Sequence, residues 1–178
     1  MYHSIELRIQ CNTNTKHNNA APIVTAAYNS LLNPQTKHTS IAIKNNSVII
    51  KSIVCILGTG SNCTYFDGVQ VDQRVCSLGY SIMDDASGNY YGRQLLRDYY
   101  FNVMPHDLKL VFETRYNVNE DAIKKALYKK PNPNAYLATF AEFLILNKES
   151  DYIQNVIKKG LRVFVETMIL QYKEEIKT

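Results

Sequence analysis

The chain has 178 residues, of which 46% are hydrophobic and 20% are charged, and its formal net charge at neutral pH is +4. This composition is ordinary for a globular protein and excludes a chain that is disordered throughout. The positive charge is thinly spread, and its one dense group is Lys124, Lys125, Lys129 and Lys130. Nucleic-acid binding needs a focused basic surface, so we expect no nucleic-acid partner.

Location and metal content follow from what the sequence lacks. No stretch approaches the ~20 apolar residues of a membrane span, and the polar N-terminal region does not resemble a signal peptide. The cysteines at positions 11, 55, 63 and 76 form no Cys-x-x-Cys pair, and no histidine has zinc-ligand spacing. We therefore expect a cytoplasmic protein with reduced cysteines, no membrane partner and no metal site of its own.

Residues 1–52 have weak signals. A short strand is expected at residues 5–9, followed by a polar, asparagine-rich stretch. Residues 22–32 are predicted to be a helix, because Pro22 suits its first turn and Pro34 follows its end. Residues 39–51 mix β-branched and polar side chains, and the pattern leaves a hairpin and a frayed helix both open.

Residues 53–82 are predicted to form strands and turns. The continuous apolar run at 53–57 is typical of a strand buried on both faces, and a turn follows at 58–62. Strands at 63–66 and 69–75 flank Asp67-Gly68, the strongest hairpin signal in the chain.

Residues 85–178 are predicted to be helical, with an extended loop at 130–134 where each proline disfavours helix before it. The predicted helices are 88–103 capped by Ser87, 107–116, one capped by Asn119, 136–146, and a long last one capped by Ser150. The core stripe of the last helix is Ile153, Ile157, Leu161, Phe164, Met168 and Tyr172. Core positions are also expected for Tyr91, Tyr128 and Tyr136.

The turn at 58–62 has the composition of an anion site. Gly58 and Gly60 allow backbone N–H groups to point at a phosphate, and Thr59, Ser61 and Asn62 add side-chain donors. Neither a Walker A loop nor a dinucleotide fingerprint fits, because no Gly-Lys-Ser/Thr follows and no helix begins directly after the turn. A glycine turn of this kind is also found in plain hairpins, so its neighbours decide its meaning.

Several blocks in order resemble the BadF/BadG/BcrA/BcrD-type ATPases, in particular their N-acetylglucosamine-kinase-like branch. The two most specific blocks are Gly-Thr-Gly-Ser-Asn at 58–62 and Lys-Pro-Asn-Pro-Asn at 130–134. The others are Tyr-Phe-Asp-Gly at 65–68, Ser-Leu-Gly-Tyr at 77–80, Asp-Asp-Ala-Ser-Gly at 84–88, Gly92, Leu-Leu-Arg-Asp at 95–98 and Tyr-Leu-Ala at 136–138.

The resemblance implies an α/β fold of the actin-like, ribonuclease-H-like ATPase type. Residues 53–178 match the C-terminal lobe, with strand hairpins followed by helices, and residues 1–52 match a degenerate remnant of the N-terminal lobe. ATP with Mg²⁺ and an amino sugar are the implied ligands of the cleft. Gly58, Thr59, Gly60, Ser61 and Asn62 would then bind the phosphates of ATP.

The same resemblance places an acidic cleft segment at Asp84, Asp85, Ser87 and Gly88, where Asp84 would contact the sugar or Mg²⁺–phosphate. Met83 and Ala86 stand where the family has glycine. These two replacements put the backbone geometry of the segment in question.

Three elements that the family uses in catalysis are not found. The first phosphate hairpin requires glycine, and none precedes Gly58; no Asp or Glu lies between Glu6 and Asp67 to act as general base; and no adenosine block follows Tyr172. We therefore expect little or no kinase activity from this chain alone. The alternatives are a non-catalytic binding or dimerisation module, with a homodimer as partner, and a dehydratase-activating ATPase with a cysteine-ligated cluster between subunits.

Overall fold

A four-stranded sheet leads into a helical layer, and the computed structural model describes residues 4–7, 52–67 and 69–177. β1 pairs with β2 in parallel, whereas β2 with β3 and β3 with β4 are antiparallel. The strands, in their order across the sheet, are β1 (Ser4–Leu7), β2 (Ser52–Leu57), β3 (Ser61–Phe66) and β4 (Val71–Asp72). The predicted strand at 5–9 is confirmed over 5–7, and the predictions for 22–32 and 39–51 fall outside the described residues.

Helices make up most of residues 88–177. They are α1 (Gly88–Tyr100), α2 (His106–Arg115), α3 (Glu120–Tyr128), α4 (Pro133–Thr139), α5 (Glu142–Leu146), α6 (Asp151–Thr167) and α7 (Lys173–Lys177), with a 3₁₀ helix at Ile169–Tyr172 before α7. No helix in the described ranges is long and apolar enough to cross a membrane.

Helix α1 lies at the centre of the helical layer. Its Tyr91 is buried and donates a hydrogen bond to the backbone oxygen of Ile157 on α6 (3.0 Å). On its other side Gly92 lies directly against the backbone of Leu137 on α4. The stripe predicted along α6 and the 3₁₀ helix is confirmed, since all six of its side chains are buried.

Aromatic rings fill the space between α2, α4 and α5. Phe112 is fully buried, with ring centroids 5.0 Å from Phe143 and 5.8 Å from Phe140. Tyr116 adds contacts with Phe112 at 4.8 Å and with Phe140 at 4.9 Å. Buried aromatic pairs each add roughly 0.5–1.5 kcal/mol beyond the area they bury, so this cluster holds the three helices together.

The C-terminal 3₁₀ helix joins the helical layer to the sheet, mainly through the side chain of Tyr172. Tyr172 is fully buried, and its hydroxyl accepts from the Arg74 N–H at 3.0 Å. The same oxygen lies 3.1 Å from the Asp72 carbonyl oxygen and 3.3 Å from that of Cys63. Outside the core, Arg74 stacks over the Tyr172 ring and pairs with Glu175 on α7.

The strand predicted at 69–75 is wrong in its extent, since only Val71–Asp72 pair with β3. Local side-chain bonds take the backbone groups that a longer strand requires. Asp67 Oδ1 accepts from the N–H groups of Val69 and Gln70, both at 2.7 Å, and the Arg74 N–H donates to Tyr172. Short polar side chains compete with strand pairing in this way at turns.

Helix α1 ends at Tyr100 rather than at 103. Asn102 is in the left-handed region (φ 56°), and the N–H groups of Val103 and Met104 both donate to the backbone oxygen of Asp98, which closes the helix.

The loop predicted at 130–134 is wrong at its end, because Pro133 begins α4. Proline suits the first helical position, where its missing N–H has no helical partner.

The single helix predicted at 136–146 is two helices. At the break, the backbone N–H groups of Phe140 and Ala141 donate to backbone oxygens three residues earlier. This tightens the turn and directs the chain toward the aromatic cluster.

Tyr128 is not a core residue, since it is 77% exposed. It lies two positions after the buried Ala126 and therefore points to the opposite side of α3.

Two helix starts offer a matched test of capping. Asn119 Oδ1 accepts from the Ala122 N–H at 3.0 Å, whereas Ser150 precedes α6 without a side-chain cap bond. We expect Asn119→Ala to lower the free energy of unfolding by about 1 kcal/mol, and Ser150→Ala to change it by less than about half as much. Urea unfolding followed by circular dichroism measures both, and equal losses would contradict the assigned cap.

Candidate functional site

The turn between β2 and β3 consists of Gly58, Thr59 and Gly60, since Leu57 and Ser61 are already paired across the strands. Within it the Gly58 N–H donates to the Gly60 oxygen at 2.9 Å. Among the described residues, none accepts a hydrogen bond from the N–H groups of Thr59 or Gly60. Thr59 is exposed, and Gly60 is half-buried.

The N-terminus of α1 meets the inner side of the same turn. The Gly88 N–H donates to the Gly58 oxygen at 2.7 Å, and the Asn89 N–H donates to the Thr59 oxygen at 3.1 Å. These two N–H groups have no partner inside the helix, so the turn completes the helix end. The hairpin and α1 therefore hold each other in one fixed arrangement.

Asp84 lies over the turn. Its Oδ1 accepts from the Ser61 N–H at 3.2 Å, and a Cβ at Gly60 would be only 2.8 Å from its Oδ2. The backbone of Asp84 is left-handed (φ 71°), a conformation that asparagine and glycine adopt more readily than most residues. The structure thus brings together the predicted turn and the predicted acidic segment.

Asn89 is a site residue that the sequence reasoning missed. It is fully buried, and its Nδ2 donates to the Thr59 oxygen at 2.5 Å and to Asp84 Oδ2 at 3.0 Å. Its Oδ1 is buried without a hydrogen-bond partner in the described structure. An asparagine in the first turn of a predicted helix gives no signal of such a role, because its bonds to Thr59 and Asp84 form only by tertiary folding.

The remaining predicted residues have mainly local partners. Ser87 is buried and caps α1, with its Oγ accepting from the Tyr90 N–H at 3.3 Å. Gly88 leaves room for α4, since a Cβ there would be 3.1 Å from the Cβ of Ala138. Asn62 Oδ1 accepts from the Cys63 N–H at 2.8 Å, so its carbonyl oxygen is turned toward its own strand.

Asp85 lies next to Asp84 in a half-buried position. Burial raises the pKa of the Asp85 carboxyl above its ordinary value, while the charge of Arg93 opposes that shift. Arg93 itself donates to the Tyr80 oxygen at 2.9 Å. The two neighbouring carboxylates give this segment a negative character.

Position 86, where the resemblance expects glycine, has an alanine with a left-handed backbone. Ala86 is buried and has φ 58°, a left-handed conformation that costs an alanine roughly 1–2 kcal/mol. The surrounding contacts of Asp84 and Ser87 hold it there. Ala86 thus has a backbone conformation that glycine adopts at lower cost.

Two cysteines lie beneath the turn. Cys55 and Cys63 are directly opposite on β2 and β3, both buried, with Sγ atoms 3.4 Å apart. The hydrogen bond to Cys63 and burial raise the pKa of the Cys55 thiol, so it stays protonated. Cys55 and Cys63, buried inside one chain, are poorly placed to hold a cluster between subunits, whereas Cys76 is exposed.

Comparisons with known proteins bear on this geometry. No family model matches the sequence, and no curated protein matches it significantly. The crystal structure of a candidate N-acetylglucosamine kinase from Porphyromonas gingivalis matches at 32% sequence identity with a TM-score of 0.65. The match covers 69% of this chain and 44% of that protein, so this chain spans less than half its length. The described residues have part of a sugar-kinase-like fold.

Proposed function

We propose that this chain is a ligand-binding lobe of the N-acetylglucosamine-kinase type, with its site at the β2–β3 turn. The observation that supports this most directly is that hydrogen bonds join the turn, Asp84 and Asn89. They do so in a chain similar to a candidate N-acetylglucosamine kinase. The assignment to the BadF/BadG/BcrA/BcrD-type ATPases belongs to the same proposal and rests on the sequence blocks.

The donors of the turn suit the phosphates of ATP. The N–H groups of Thr59 and Gly60 and the exposed Thr59 hydroxyl offer hydrogen bonds on one side. Successive backbone N–H groups in a turn form a concavity that binds anions. Ser61 is only 8% exposed, and its N–H already donates to Asp84, so we assign it to holding the site together.

The carboxylates of Asp84 and Asp85 suit Mg²⁺ and sugar hydroxyls. Among the described residues no three His, Cys, Asp or Glu side chains group as a metal site. Mg²⁺ is usually held by one or two carboxylates together with substrate phosphates and water, so these two residues fit it as partial ligands. When bound, Mg²⁺ neutralises charge on the phosphates.

We propose that catalysis by this chain alone is weak. Phosphoryl transfer to a hydroxyl needs a carboxylate that accepts the proton, and no Asp or Glu occurs from residue 7 to residue 66. Loss of a general base typically lowers the rate about 10²–10⁴-fold. We also propose a cytoplasmic location, because the cysteines of the described residues are free thiols.

A titration tests the site. Calorimetry of the full chain with ATP and Mg²⁺, and separately with N-acetylglucosamine, is expected to show binding, with sugar phosphorylation far below ordinary kinase rates. Thr59→Val, which removes one hydroxyl, should weaken MgATP binding about five-fold, as one hydrogen bond predicts. Thr114→Val is the control, because Thr114 is exposed on α2 and its hydroxyl donates to the nearby Val111 backbone oxygen.

The outcomes separate the two parts of the proposal. Turnover at ordinary kinase rates would show that the chain is a complete enzyme and refute weak catalysis. Absence of binding for both ligands by a folded chain would refute the site. The non-catalytic dimerisation module is then the remaining alternative, and the exposure of Val69, Val71, Leu78 and Ile82 favours it.

A further inference from the structure

Two buried cysteines beneath the turn have no part in the proposed function. Cys55 on β2 and Cys63 on β3 lie directly opposite each other, and their Sγ atoms are 3.4 Å apart. Both side chains are buried, and both thiols are free. We propose that this pair is an oxidation site, at which a peroxide converts the two thiols into a disulfide that locks the β2–β3 hairpin. Oxidation of the pair is independent of ligand binding at the turn.

The backbone geometry of the two strands suits a disulfide between Cys55 and Cys63. Residues directly opposite on antiparallel strands have Cα atoms about 4.5–5.5 Å apart, which is within the range of about 4.4–6.8 Å that disulfides span. The two side chains lie on the same face of the sheet, and their sulfur atoms are already in contact. A small rotation of each side chain therefore brings the sulfur atoms to bonding distance without moving the strands apart.

The surroundings of the pair favour oxidation over nucleophilic or metal chemistry. A nucleophilic cysteine needs a neighbouring cation, metal or helix N-terminus that lowers its pKa. At Cys55 the hydrogen bond to Cys63 and burial raise the thiol pKa instead. Within the described ranges, no three His, Cys, Asp or Glu side chains group in a way that could hold a metal ion. Reaction of the two sulfur atoms with each other is the chemistry that their position offers.

The reaction consumes one hydrogen peroxide molecule for each pair. One thiol loses its proton and its sulfur attacks a peroxide oxygen, so that the O–O bond breaks, a sulfenic acid forms, and hydroxide leaves and takes up the proton as water. The second sulfur then attacks the sulfenic sulfur, the S–S bond forms, and the S–O bond breaks. The departing hydroxide takes the second thiol proton and leaves as another water. Both sulfur atoms are oxidised, and the peroxide is reduced.

The two steps differ in speed. The first is slow, because the thiolate is the attacking form and the raised pKa of Cys55 keeps that thiol protonated. The second is fast, because the partner sulfur is held 3.4 Å away and captures the sulfenic acid before it is oxidised further. Such a pair responds to sustained exposure to peroxide, as transient redox-sensing disulfides of cytosolic proteins do.

The disulfide closes a ring that contains the whole turn. It joins β2 to β3 on one side of Gly58, Thr59 and Gly60, while the paired strands continue on the other side. Native disulfides constrain the open state of the loop that they close. The two strands then separate less often, so amide hydrogen exchange in β2 and β3 should slow at least about ten-fold.

Peptide mass spectrometry of the full chain tests the oxidation. The folded chain is treated with hydrogen peroxide, then unfolded, and its remaining thiols are blocked with iodoacetamide before digestion with trypsin. No Lys or Arg lies between Lys51 and Arg74, so Cys55 and Cys63 share one tryptic peptide, whereas Cys76 lies in the next. We expect the first peptide to be lighter by two hydrogen atoms and to take up no iodoacetamide. Cys76→Ser should leave this result unchanged.

Hydrogen exchange of the same sample tests the lock. Dithiothreitol reverses the disulfide but not methionine oxidation, so a portion reduced after peroxide treatment is the matched control. Slower exchange in β2 and β3 of the oxidised portion alone supports the inference. Exchange that is equal in the two portions overturns the lock. Two alkylated cysteines in the first peptide after peroxide treatment, or a disulfide from either of them to Cys76, overturns the oxidation site, and this outcome needs no variant to fold.

Discussion

The Gly92→Ala variant is expected to lose much of the stability of the fold. A Cβ at this position would lie 1.7 Å from the backbone oxygen of Leu137 and 2.6 Å from its carbonyl carbon. Backbone atoms of α4 cannot rotate away, so α1 and α4 must separate. Overpacking typically costs about 1–3 kcal/mol and occasionally more, and we expect at least 3 kcal/mol here, a large share of a total near 5–15 kcal/mol.

Urea unfolding followed by far-ultraviolet circular dichroism measures this loss. The control is Gly79→Ala, because Gly79 has open space within 4 Å but a φ of 80°. Its expected cost of about 1–2 kcal/mol is conformational rather than steric. If Gly92→Ala proves no more costly than Gly79→Ala, the close contact between α1 and α4 is wrong.

Tyr172→Ala is expected to be comparably damaging. The side chain is fully buried and joins the 3₁₀ helix to the sheet, so its removal leaves a cavity and unpaired backbone groups. Large-to-small core changes of aromatic residues cost about 3–5 kcal/mol. Tyr172→Phe keeps the ring but leaves the Arg74 N–H without its partner, which should cost about 1–3 kcal/mol.

Tyr128→Phe provides the matched control. Tyr128 is 77% exposed, so removal of its hydroxyl should cost the fold little stability. We expect a change within about half a kcal/mol for this variant. Thermal and urea unfolding rank the three variants by the free energy of unfolding that each one loses. A loss for Tyr172→Phe no larger than that for Tyr128→Phe would show that the hydroxyl of Tyr172 does not hold the sheet.

The turn and the helix order could be predicted from the sequence because their signals are local. Glycine spacing marked the turn, predicted at 58–62 and observed at 58–60 because β3 already begins at Ser61. Ser87 and Asn119 marked the helix starts that they cap in the structure. Hydrophobic spacing of three and four residues identified the buried face of α6. Each of these signals lies within a few residues of the feature that it predicts.

The remaining features depend on contacts between distant residues. The shortness of β4 follows from Asp67 and Tyr172 taking its backbone groups, and Tyr172 lies about a hundred residues away in the sequence. The break between α4 and α5 serves packing against Phe112. Asn89 acquires its role only when α1 docks on the turn. No periodicity or motif in the sequence encodes these pairings.

The resemblance and the geometry contribute different parts of the account. The resemblance named the turn and the acidic segment, and the structure joins Ser61 to Asp84 with a hydrogen bond of 3.2 Å. The geometry added that a carboxylate already occupies part of the turn.

The most direct measurement of the central claim is a two-dimensional ¹H–¹⁵N spectrum of the full chain during titration with ADP and Mg²⁺. We predict saturable shifts of the amides of Thr59, Gly60 and Ser61 and of the Asn89 side-chain amide, with α2 and α3 unchanged. Shifts confined to other regions, or a turn that stays unmoved at saturation, would contradict the claim that this turn is the ligand site.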